Sequence, residues 1–308
     1  MVKKYLIRTV LFLLPVVMIL GALEFWVRNV PSSPKAIATY LHKESENLEV
    51  LVLGASQNQG AIHPKFMSWP TINLASGHQD YAEDFAMLSQ LKERLPKLNT
   101  IILSMTFAHL DTPPNKQEFW KHTTFLNYYN VNAFGRTVYA KDKLLYISNP
   151  SFYSKEILGS ISPVNVQDYG DYGYFEKAKN SAFAKANYEP TRIKDISLSI
   201  YNRENPAAVQ ENTAAFKKIL AFCKDQQLKA VILLTPVTQK HYRNRNPTMV
   251  ARRDAFLKEM LHTYPDTHLI DAEQVDYLLP DFNNHNHLSP QGAEKFTNTV
   301  NQQLKENH

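Results

Sequence analysis

The stretch Val50-Leu51-Val52-Leu53-Gly54-Ala55-Ser56 is the part of this chain that decides how we interpret its fold. Its first four residues form a short apolar run, which is typical of a strand buried on both faces of a parallel sheet. A residue that directly follows such a strand lies at the carboxyl edge of the sheet, where open α/β sheets bind their ligands. The stretch therefore predicts a parallel sheet with Ser56 exposed at its edge.

Four further runs of apolar or β-branched residues follow, and helical patterns alternate with most of them. The predicted strands are Glu49–Leu53, Thr71–Ala75, Thr100–Ser104, Ala230–Leu234 and His268–Ile270. The predicted helices are Tyr81–Leu95, Ala207–Gln226, Thr248–Tyr264 and Pro290–Lys305. Strands that alternate with helices indicate a parallel sheet covered on both faces. We therefore expect an α/β fold built as a three-layer sandwich around a central parallel sheet.

The middle of the chain departs from this pattern. Between Asp111 and about Tyr201 the periodicity weakens, and ten of the sixteen tyrosines fall between Tyr128 and Tyr201. Long segments without regular structure are usually functional or disordered, and this many aromatic side chains favours order. We predict an insertion over about 111–201 that forms a tyrosine-rich cap on the carboxyl edge of the sheet.

The N-terminal residues 1–30 are predicted to lie outside the fold. Lys3, Lys4 and Arg8 precede the uncharged stretch Thr9–Leu23, and the apolar residues on either side extend it to the roughly 20 residues that a membrane span needs. A cleaved signal peptide is the alternative, but Ile19–Glu24 offers no clean small-x-small cleavage site.

The basic residues that precede this apolar segment indicate its orientation. They favour a cytoplasmic N-terminus and place the rest of the chain on the extracytoplasmic, periplasmic side. Pro31-Ser32-Ser33-Pro34 indicates a short linker, so residues 31–48 are predicted to be a linker and lead-in to one domain over 49–308.

The overall composition removes several classes of function. The formal charge of +5 is spread along the chain without a basic tract, so nothing supports binding to nucleic acid. Cys223 is the one cysteine, which excludes an internal disulfide and a cysteine-rich metal site.

A histidine-containing stretch near the end of the chain complements the early serine. Asn284-His285-Asn286-His287-Leu288 lies just before the predicted last helix. Nucleophilic acyl chemistry needs an exposed hydroxyl and a base that takes its proton, and the two come together in space rather than in sequence. We therefore expect Ser56 and His287 at the same carboxyl edge, within hydrogen-bond distance.

Three blocks of sequence together resemble the SGNH hydrolase superfamily. They are Gly54-Ala55-Ser56-Gln57, Asn73-Leu74-Ala75-Ser76-Gly77-His78-Gln79 and His287-Leu288-Ser289-Pro290-Gln291-Gly292-Ala293. The chain looks like the membrane-anchored branch found in bacterial cell-surface polysaccharide and teichoic-acid gene clusters, and Thr235-Pro236-Val237 also looks like this branch. The likeness covers the predicted sheet but not the tyrosine-rich middle. It implies a flavodoxin-like α/β sandwich.

The resemblance also implies roles for particular residues. Ser56 would be the nucleophile and His287 the general base. The backbone N–H groups of Ser56 and Gly77 would stabilise the oxyanion, while Gln57, His78 and Thr106 would contact the substrate. It implies neither a metal nor a cofactor.

Two positions depart from the pattern of the superfamily. The aspartate usually found three residues before the histidine is replaced by Asn284, a catalytic candidate whose amide can orient the imidazole but cannot stabilise the imidazolium by charge. The alternatives are that Asp281 supplies the acid from a shifted loop, or that a carbonyl group orients a Ser-His dyad. The stretch Ser104-Met105-Thr106-Phe107 lacks the usual oxyanion asparagine, and Thr106 is the candidate replacement.

These features predict a membrane-anchored esterase or O-acyltransferase that acts on an acylated surface polysaccharide or other glycan. The expected partners are that glycan, the membrane and a membrane-embedded acyl-transfer protein. A glycan-binding or assembly protein on the same fold is the alternative, as is D-alanyl transfer. A metal held by His285 and His287 near Asp281 is a further alternative, although two ligands on one loop fall short of a site.

Overall fold

The computed structural model describes residues 2–161, 170–174, 181–193 and 202–306. The chain forms two compact units, Met1–Lys35 with Gln117–Asp168 (unit 1) and Ala36–Lys116 with Tyr169–His308 (unit 2). The predicted cap over 111–201 is divided between them, and its residues 162–169, 175–180 and 194–201 lie outside the described residues.

Along the chain, one or more helices separate each strand of the main sheet from the next. In order, the elements are α1 (Val2–Asn29), α2 (Ser33–Glu44), β1 (Val50–Val52), α3 (Ser56–Ala61), β2 (Thr71–Asn73), α4 (Tyr81–Leu91), β3 (Thr100–Ser104), α5 (Lys121–Thr124), α6 (Leu145–Ser148), α7 (Pro150–Ile161), α8 (Ala182–Lys185), α9 (Pro206–Asp225), β4 (Lys229–Leu234), α10 (Gln239–Arg243), α11 (Pro247–Thr263), β5 (His268–Asp271), β6 (Phe282–Asn284), β7 (His287–Leu288) and α12 (Pro290–Glu306).

Unit 2 contains a five-stranded parallel sheet in the order β2-β1-β3-β4-β5. The chain reverses its direction across the sheet between β1 and β3, which lie side by side. In sheets of this order the crevice at the carboxyl ends of those two strands is the preferred place for a ligand. The expected α/β fold with a parallel sheet is therefore confirmed.

Both faces of the sheet are covered by apolar side chains. Val52, Val231 and Leu233 share a buried cluster with Phe296 and Val300 of α12. The side chains that alternate with them along the strands, such as Leu51 and Ile232, are fully buried as well. Helices α4 and α9 pack against each other through ring contacts, such as that of Tyr81 on α4 with Phe216 on α9, whose centroids lie 4.9 Å apart. Helices therefore flank the sheet, which is compatible with three layers.

Some elements differ from those expected from the sequence. Where Pro31–Pro34 indicated a linker, α2 begins at Ser33, because a proline in the first helical turn is tolerated. The helix predicted to reach Leu95 ends at Leu91 and continues as a 3₁₀ turn over Lys92–Arg94. The antiparallel pair β6–β7 was not predicted, since its strands of three and two residues are too short to show alternation.

Unit 1 is built around the C-terminal end of α1. Val27 and Val30 pack in a buried cluster with Leu145, Tyr153 and Ile157 from α6 and α7. The preceding part of α1 is uncovered, and the helix is long and apolar enough to cross a membrane as an anchor or a signal sequence.

A carboxylate on α1 fixes the start of α6. Glu24 accepts hydrogen bonds from the backbone N–H groups of Leu145 (3.0 Å) and Tyr146 (2.8 Å). It also pairs with Arg28 at 2.6 Å. Because the first N–H groups of a helix have no acceptor within the helix, Glu24 satisfies two donors of α6 that would otherwise need water.

Candidate active site

The turn after β1 presents Ser56 at the carboxyl edge of the sheet. Gly54 adopts φ +113°, and a Cβ at this position would lie 2.1 Å from Ser104 Oγ at the end of β3. Glycine is therefore required for both its backbone conformation and its close approach to β3. Ala55 N donates to the same Ser104 Oγ over 3.3 Å. Ser56 then begins α3, so its backbone N–H lies in the first turn, where the helix offers no acceptor.

A second turn, after β2, lies beside the serine turn. Ser76 N donates to the carbonyl of Gly54 over 3.0 Å, which joins the two turns directly. Gly77 follows and is half-buried, whereas His78 is exposed with φ +63°. The structure thus brings Gly77, a predicted oxyanion donor, to the strand edge that carries Ser56. His78 lies at the open end of this turn.

A buried carboxyl group connects these two turns from below. Asp84 Oδ1 on α4 accepts hydrogen bonds from Gly54 N (2.9 Å) and from Gln79 Nε2 (2.6 Å), one from each turn. Burial raises the pKa of Asp84 to about 8, and it outweighs the opposite effect of the hydrogen bond from Gln79. Asp84 was not predicted from the sequence, although its place in the apolar pattern of α4 marks it as an acid on a buried helix face.

The hairpin before α12 carries the base to the serine. His287 Nε2 lies 2.8 Å from Ser56 Oγ, although 231 residues separate the two in sequence. The two residues predicted to form the dyad are therefore in direct contact. Burial lowers the pKa of His287 to about 4, so its imidazole is neutral and able to accept a proton at neutral pH.

Two amide oxygens hold the other side of this imidazole. His287 Nδ1 lies 3.0 Å from Asn284 Oδ1 and 2.9 Å from Asn286 Oδ1. Asn284 Oδ1 also accepts from the backbone N–H of Asn286 over 3.0 Å, which fixes the orientation of that amide. With oxygen acceptors at Nδ1, the proton of the neutral ring resides there, and the lone pair of Nε2 points to Ser56.

Asp281 does not take the place of the missing acid. Its carboxylate is buried and accepts hydrogen bonds from Lys295 Nζ (2.7 Å), Gln291 Nε2 (3.0 Å) and Leu278 N (3.0 Å). These contacts fasten α12 to the preceding 3₁₀ turn. The alternative in which Asp281 orients His287 from a shifted loop is therefore not what the structure shows, and the amide groups of Asn284 and Asn286 occupy that position.

A small pocket opens beside the dyad at the ends of β1, β3, β4 and β5. Its lining includes Gln57, Thr106, Phe107, Thr235, His241 and Asn286. Two of the predicted substrate-contacting residues, Gln57 and Thr106, are therefore brought together there. Burial lowers the pKa of His241 to about 4, with Arg245 adding to the effect, so this ring is neutral. The pocket volume is about 30 Å³.

The acidic residue that lines this pocket, Glu273, forms ion pairs with two arginines. Glu273 bonds to Arg253 Nη1 (2.8 Å) and to Arg245 Nη1 (2.7 Å). Burial alone would raise the pKa of Glu273, but the hydrogen bonds from the two arginines outweigh it and lower the pKa. Sequence patterns gave no signal for this network, because its ion pairs join side chains of α11 and the turn before it to a residue that follows β5.

The geometry gives little support to the alternative in which His285 and His287 bind a metal ion. His285 Nδ1 lies 2.8 Å from Thr238 Oγ1, and its ring packs edge-on against Phe183 at 5.0 Å between centroids. Within the described parts of the chain, no three His, Cys, Asp or Glu side chains are grouped closely enough to hold a metal ion. His285 thus serves to fasten the hairpin to the turn after β4.

Two short described pieces of the predicted cap pack near the dyad in unit 2. The hydroxyl group of Tyr174 donates to the carbonyl of Gly60 in α3 over 2.7 Å, and its ring stacks on His63 with centroids 4.0 Å apart. Phe183 in α8 is buried in the same cluster as Phe282 of β6. These contacts cover the outer sides of α3 and the hairpin.

No protein-family model matches the sequence, and no curated protein matches it. The resemblance to SGNH hydrolases is therefore an interpretation of the three sequence blocks alone.

Proposed function

We propose that this protein is an SGNH-like acyl esterase or O-acyltransferase that acts on an ester-linked acyl group of a cell-surface glycan. The observation that carries the proposal is the 2.8 Å contact between Ser56 Oγ and His287 Nε2, with Nδ1 held by amide oxygens. A serine next to a correctly oriented neutral imidazole is the arrangement that nucleophilic acyl chemistry uses.

In this proposal the reaction proceeds in two steps. Ser56 Oγ attacks the acyl carbonyl carbon while His287 Nε2 takes the hydroxyl proton, and the backbone N–H groups of Ser56 and Gly77 stabilise the oxyanion. His287 then returns the proton to the leaving alkoxide, which departs as an alcohol and leaves an acyl-serine. Water or a sugar hydroxyl attacks this ester with His287 again as base, and Ser56 is regenerated.

The pocket beside the dyad favours a small acyl group. One water molecule needs about 10–15 Å³ of such space, so the observed volume of about 30 Å³ corresponds to two or three water molecules. Thr106 and Gln57 line it, and both side chains are capable of hydrogen bonding. A short acyl chain is therefore the acyl group that we propose for this space.

The proposed location is the outer surface of a membrane, with α1 as an uncleaved anchor. Val27 and Val30 are part of the core of unit 1, and Glu24 caps α6. These contacts support retention of α1, because a folded unit depends on them. The basic residues Lys3, Lys4 and Arg8 favour a cytoplasmic N-terminus and a periplasmic domain.

One observation favours a second candidate, a glycan-binding or assembly protein on the same fold. Asn284 and Asn286 stand where a carboxylate would stabilise the imidazolium by charge, and the pKa of His287, lowered to about 4, makes it a weak base. A site of this kind binds an ester group while accelerating its cleavage little.

A fluorophosphonate probe separates the two candidates. We expect the full-length protein in membranes to be labelled at Ser56, and Ser56→Ala to abolish labelling and ester cleavage without changing the melting temperature. Ser89→Ala is the matched control, since its hydroxyl group contacts only backbone carbonyls of α4, Phe85 O (2.7 Å) and Ala86 O (3.4 Å). The enzyme proposal would be refuted if the wild-type protein is not labelled and if cells that carry Ser56→Ala keep the ester content of their surface polymer.

A further inference from the structure

Exposed apolar side chains are concentrated in one part of unit 1. Outside α1, the described part of the chain exposes seven large apolar side chains, and five of these lie between Tyr139 and Ile161. They are Tyr139, Ile147, Phe152, Leu158 and Ile161. Leu158 and Ile161 are three positions apart and share one side of α7, and we call this pair the apolar surface. Leu158 and Ile161 in the last turn of α7 are 67% and 59% exposed. Because soluble surfaces seldom group such residues, this concentration indicates a contact with an apolar phase.

The apolar surface lies at the end of the candidate membrane span. If the roughly 20 residues from Tyr5 cross the hydrocarbon core, the core ends near Glu24. Helix α7 packs through Tyr153 and Ile157 against the stretch from Leu23 to Val30. That stretch is about 10 Å long at 1.5 Å per residue, so its first part lies within the headgroup layer, which is about 5–7 Å thick.

The α1 residues at the same height are also suited to a membrane interface. Phe25 and Trp26 are 71% and 44% exposed, while their neighbour Val27 is buried in unit 1. Aromatic side chains are enriched at the headgroup level of membranes. The exposed side of α1 therefore continues from the span into the layer in which α7 lies.

The charges around the apolar surface fit a lipid partner. Lys143 and Lys155 are exposed on the same segment of unit 1, while Lys141 is paired with the exposed Glu118 at 3.4 Å. Segments that lie in a membrane interface combine exposed apolar residues with lysines that reach the anionic headgroups.

We propose that the apolar surface of unit 1 binds the bilayer that α1 spans, with Leu158 and Ile161 inserted among the lipids. The proposal rests on the anchor described above but not on the chemistry of Ser56. In this proposal unit 1 lies on the membrane surface and adds a second contact with the bilayer to that of α1. A protein partner or a second copy of the chain on this surface is the competing outcome, and the test distinguishes it.

The test uses environment-sensitive labels on the full-length protein in vesicles of phosphatidylcholine and phosphatidylglycerol. Leu158→Cys and Ile161→Cys each receive a fluorescent label, and Ser160→Cys is the matched control. Ser160 is exposed in the same turn, but it lies about 200° around the helix from Leu158. The native Cys223 is buried, so the background labelling of the wild-type protein is expected to be low.

We expect labels at positions 158 and 161 to be quenched by nitroxide lipids, and to be at least about threefold less accessible to aqueous iodide than the label at 160. Iodide access that is equal at all three positions, in protein that floats with the vesicles, would overturn this proposal alone. Shielding from iodide without quenching by lipids would overturn it in favour of a protein contact. Failure of the protein to float would overturn the anchor as well, and labelling of Ser56 in the same samples would be unaffected.

Discussion

The replacement Asn284→Asp tests whether the amide behind His287 limits the chemistry. The new carboxylate would stand about 3.0 Å from Nδ1, the distance that Asn284 Oδ1 has now. An opposite charge this close favours the imidazolium and raises a histidine pKa by about 1–3. The pKa of His287 should therefore rise from about 4 to between about 5 and 7.

The expected gain in rate follows from this change in basicity. If about half of the pKa change appears in the logarithm of the rate, labelling of Ser56 on the plateau near neutral pH should be about 3- to 30-fold faster. In a serine protease, replacing the triad aspartate by asparagine lowers the rate about 10⁴-fold because the histidine adopts the wrong tautomer. Asn284→Asp should not produce a gain of that size, because the tautomer of His287 is already correct. The gain comes only from charge.

The pH profile supplies a second, independent readout. His287 acts as a base only when neutral, so wild-type labelling should fall as the pH drops through about 4. In Asn284→Asp the same fall should occur between about pH 5 and 7, because the histidine holds its proton more tightly. The measurement is the second-order rate constant for a fluorophosphonate from about pH 3 to 9.

Two variants complete this experiment. Asn286→Asp places a carboxylate about 2.9 Å from the same nitrogen and should shift the profile in the same direction. Asn284→Ala should slow labelling, since one acceptor and the support of the Asn286 backbone are lost. If Asn284→Asp leaves both the plateau and the acid limb where they are in wild type, then a missing charge at this position is not what weakens the base.

The remaining predictions concern stability. Gly54→Ala should lower the melting temperature and abolish labelling, because the new Cβ would meet Ser104 Oγ at 2.1 Å and the backbone has φ +113°. The control Gly135→Ala, with φ +64° and open space around it, should lower the free energy of unfolding by only about 1–2 kcal/mol. Equal losses in the two variants would show that the close approach to β3 is unimportant. Asp281→Asn should destabilise the protein by about 1–3 kcal/mol in urea unfolding, because Lys295 and Gln291 lose a charged acceptor, yet labelling of Ser56 should remain within twofold of wild type; a large drop in labelling would restore Asp281 as the acid. Because the folded-state pKa of Asp84 is raised to about 8, this residue should make the protein less stable as the pH rises from about 4 to 8. Asp84→Asn should therefore reduce the fall of the melting temperature over this pH range.

The sheet and the dyad were accessible from the sequence because each has a local signal. The apolar runs give β3 its predicted limits and give the other strands to within a residue or two at each end, since buried parallel strands have no polar interruption. Ser56 and His287 each occupy a position defined by a neighbouring element, the end of β1 and the start of α12. Their approach then follows from the topology of the sheet.

The supporting residues could not be predicted, for a different physical reason. Asn286 orients His287 from the adjacent residue, and Asp84 reaches the serine turn across 30 residues of sequence. Such contacts depend on the positions of side chains after packing, and no periodicity encodes them. The division into two units was also hidden, because α1 was predicted only as a membrane segment, while Val27 and Val30 are core residues.

The single carboxyl group of Asp84 has a consequence for how the site meets its ligand. Its oxygen Oδ1 tethers the backbone at Gly54 and the side chain of Gln79, so the serine turn and the glycine turn are held by one atom. The loss of freedom in both loops is thus incurred during folding rather than at each encounter with substrate. The oxyanion donors should therefore already be preorganised in the empty protein, and the backbone of these turns should hardly move when an acyl group binds.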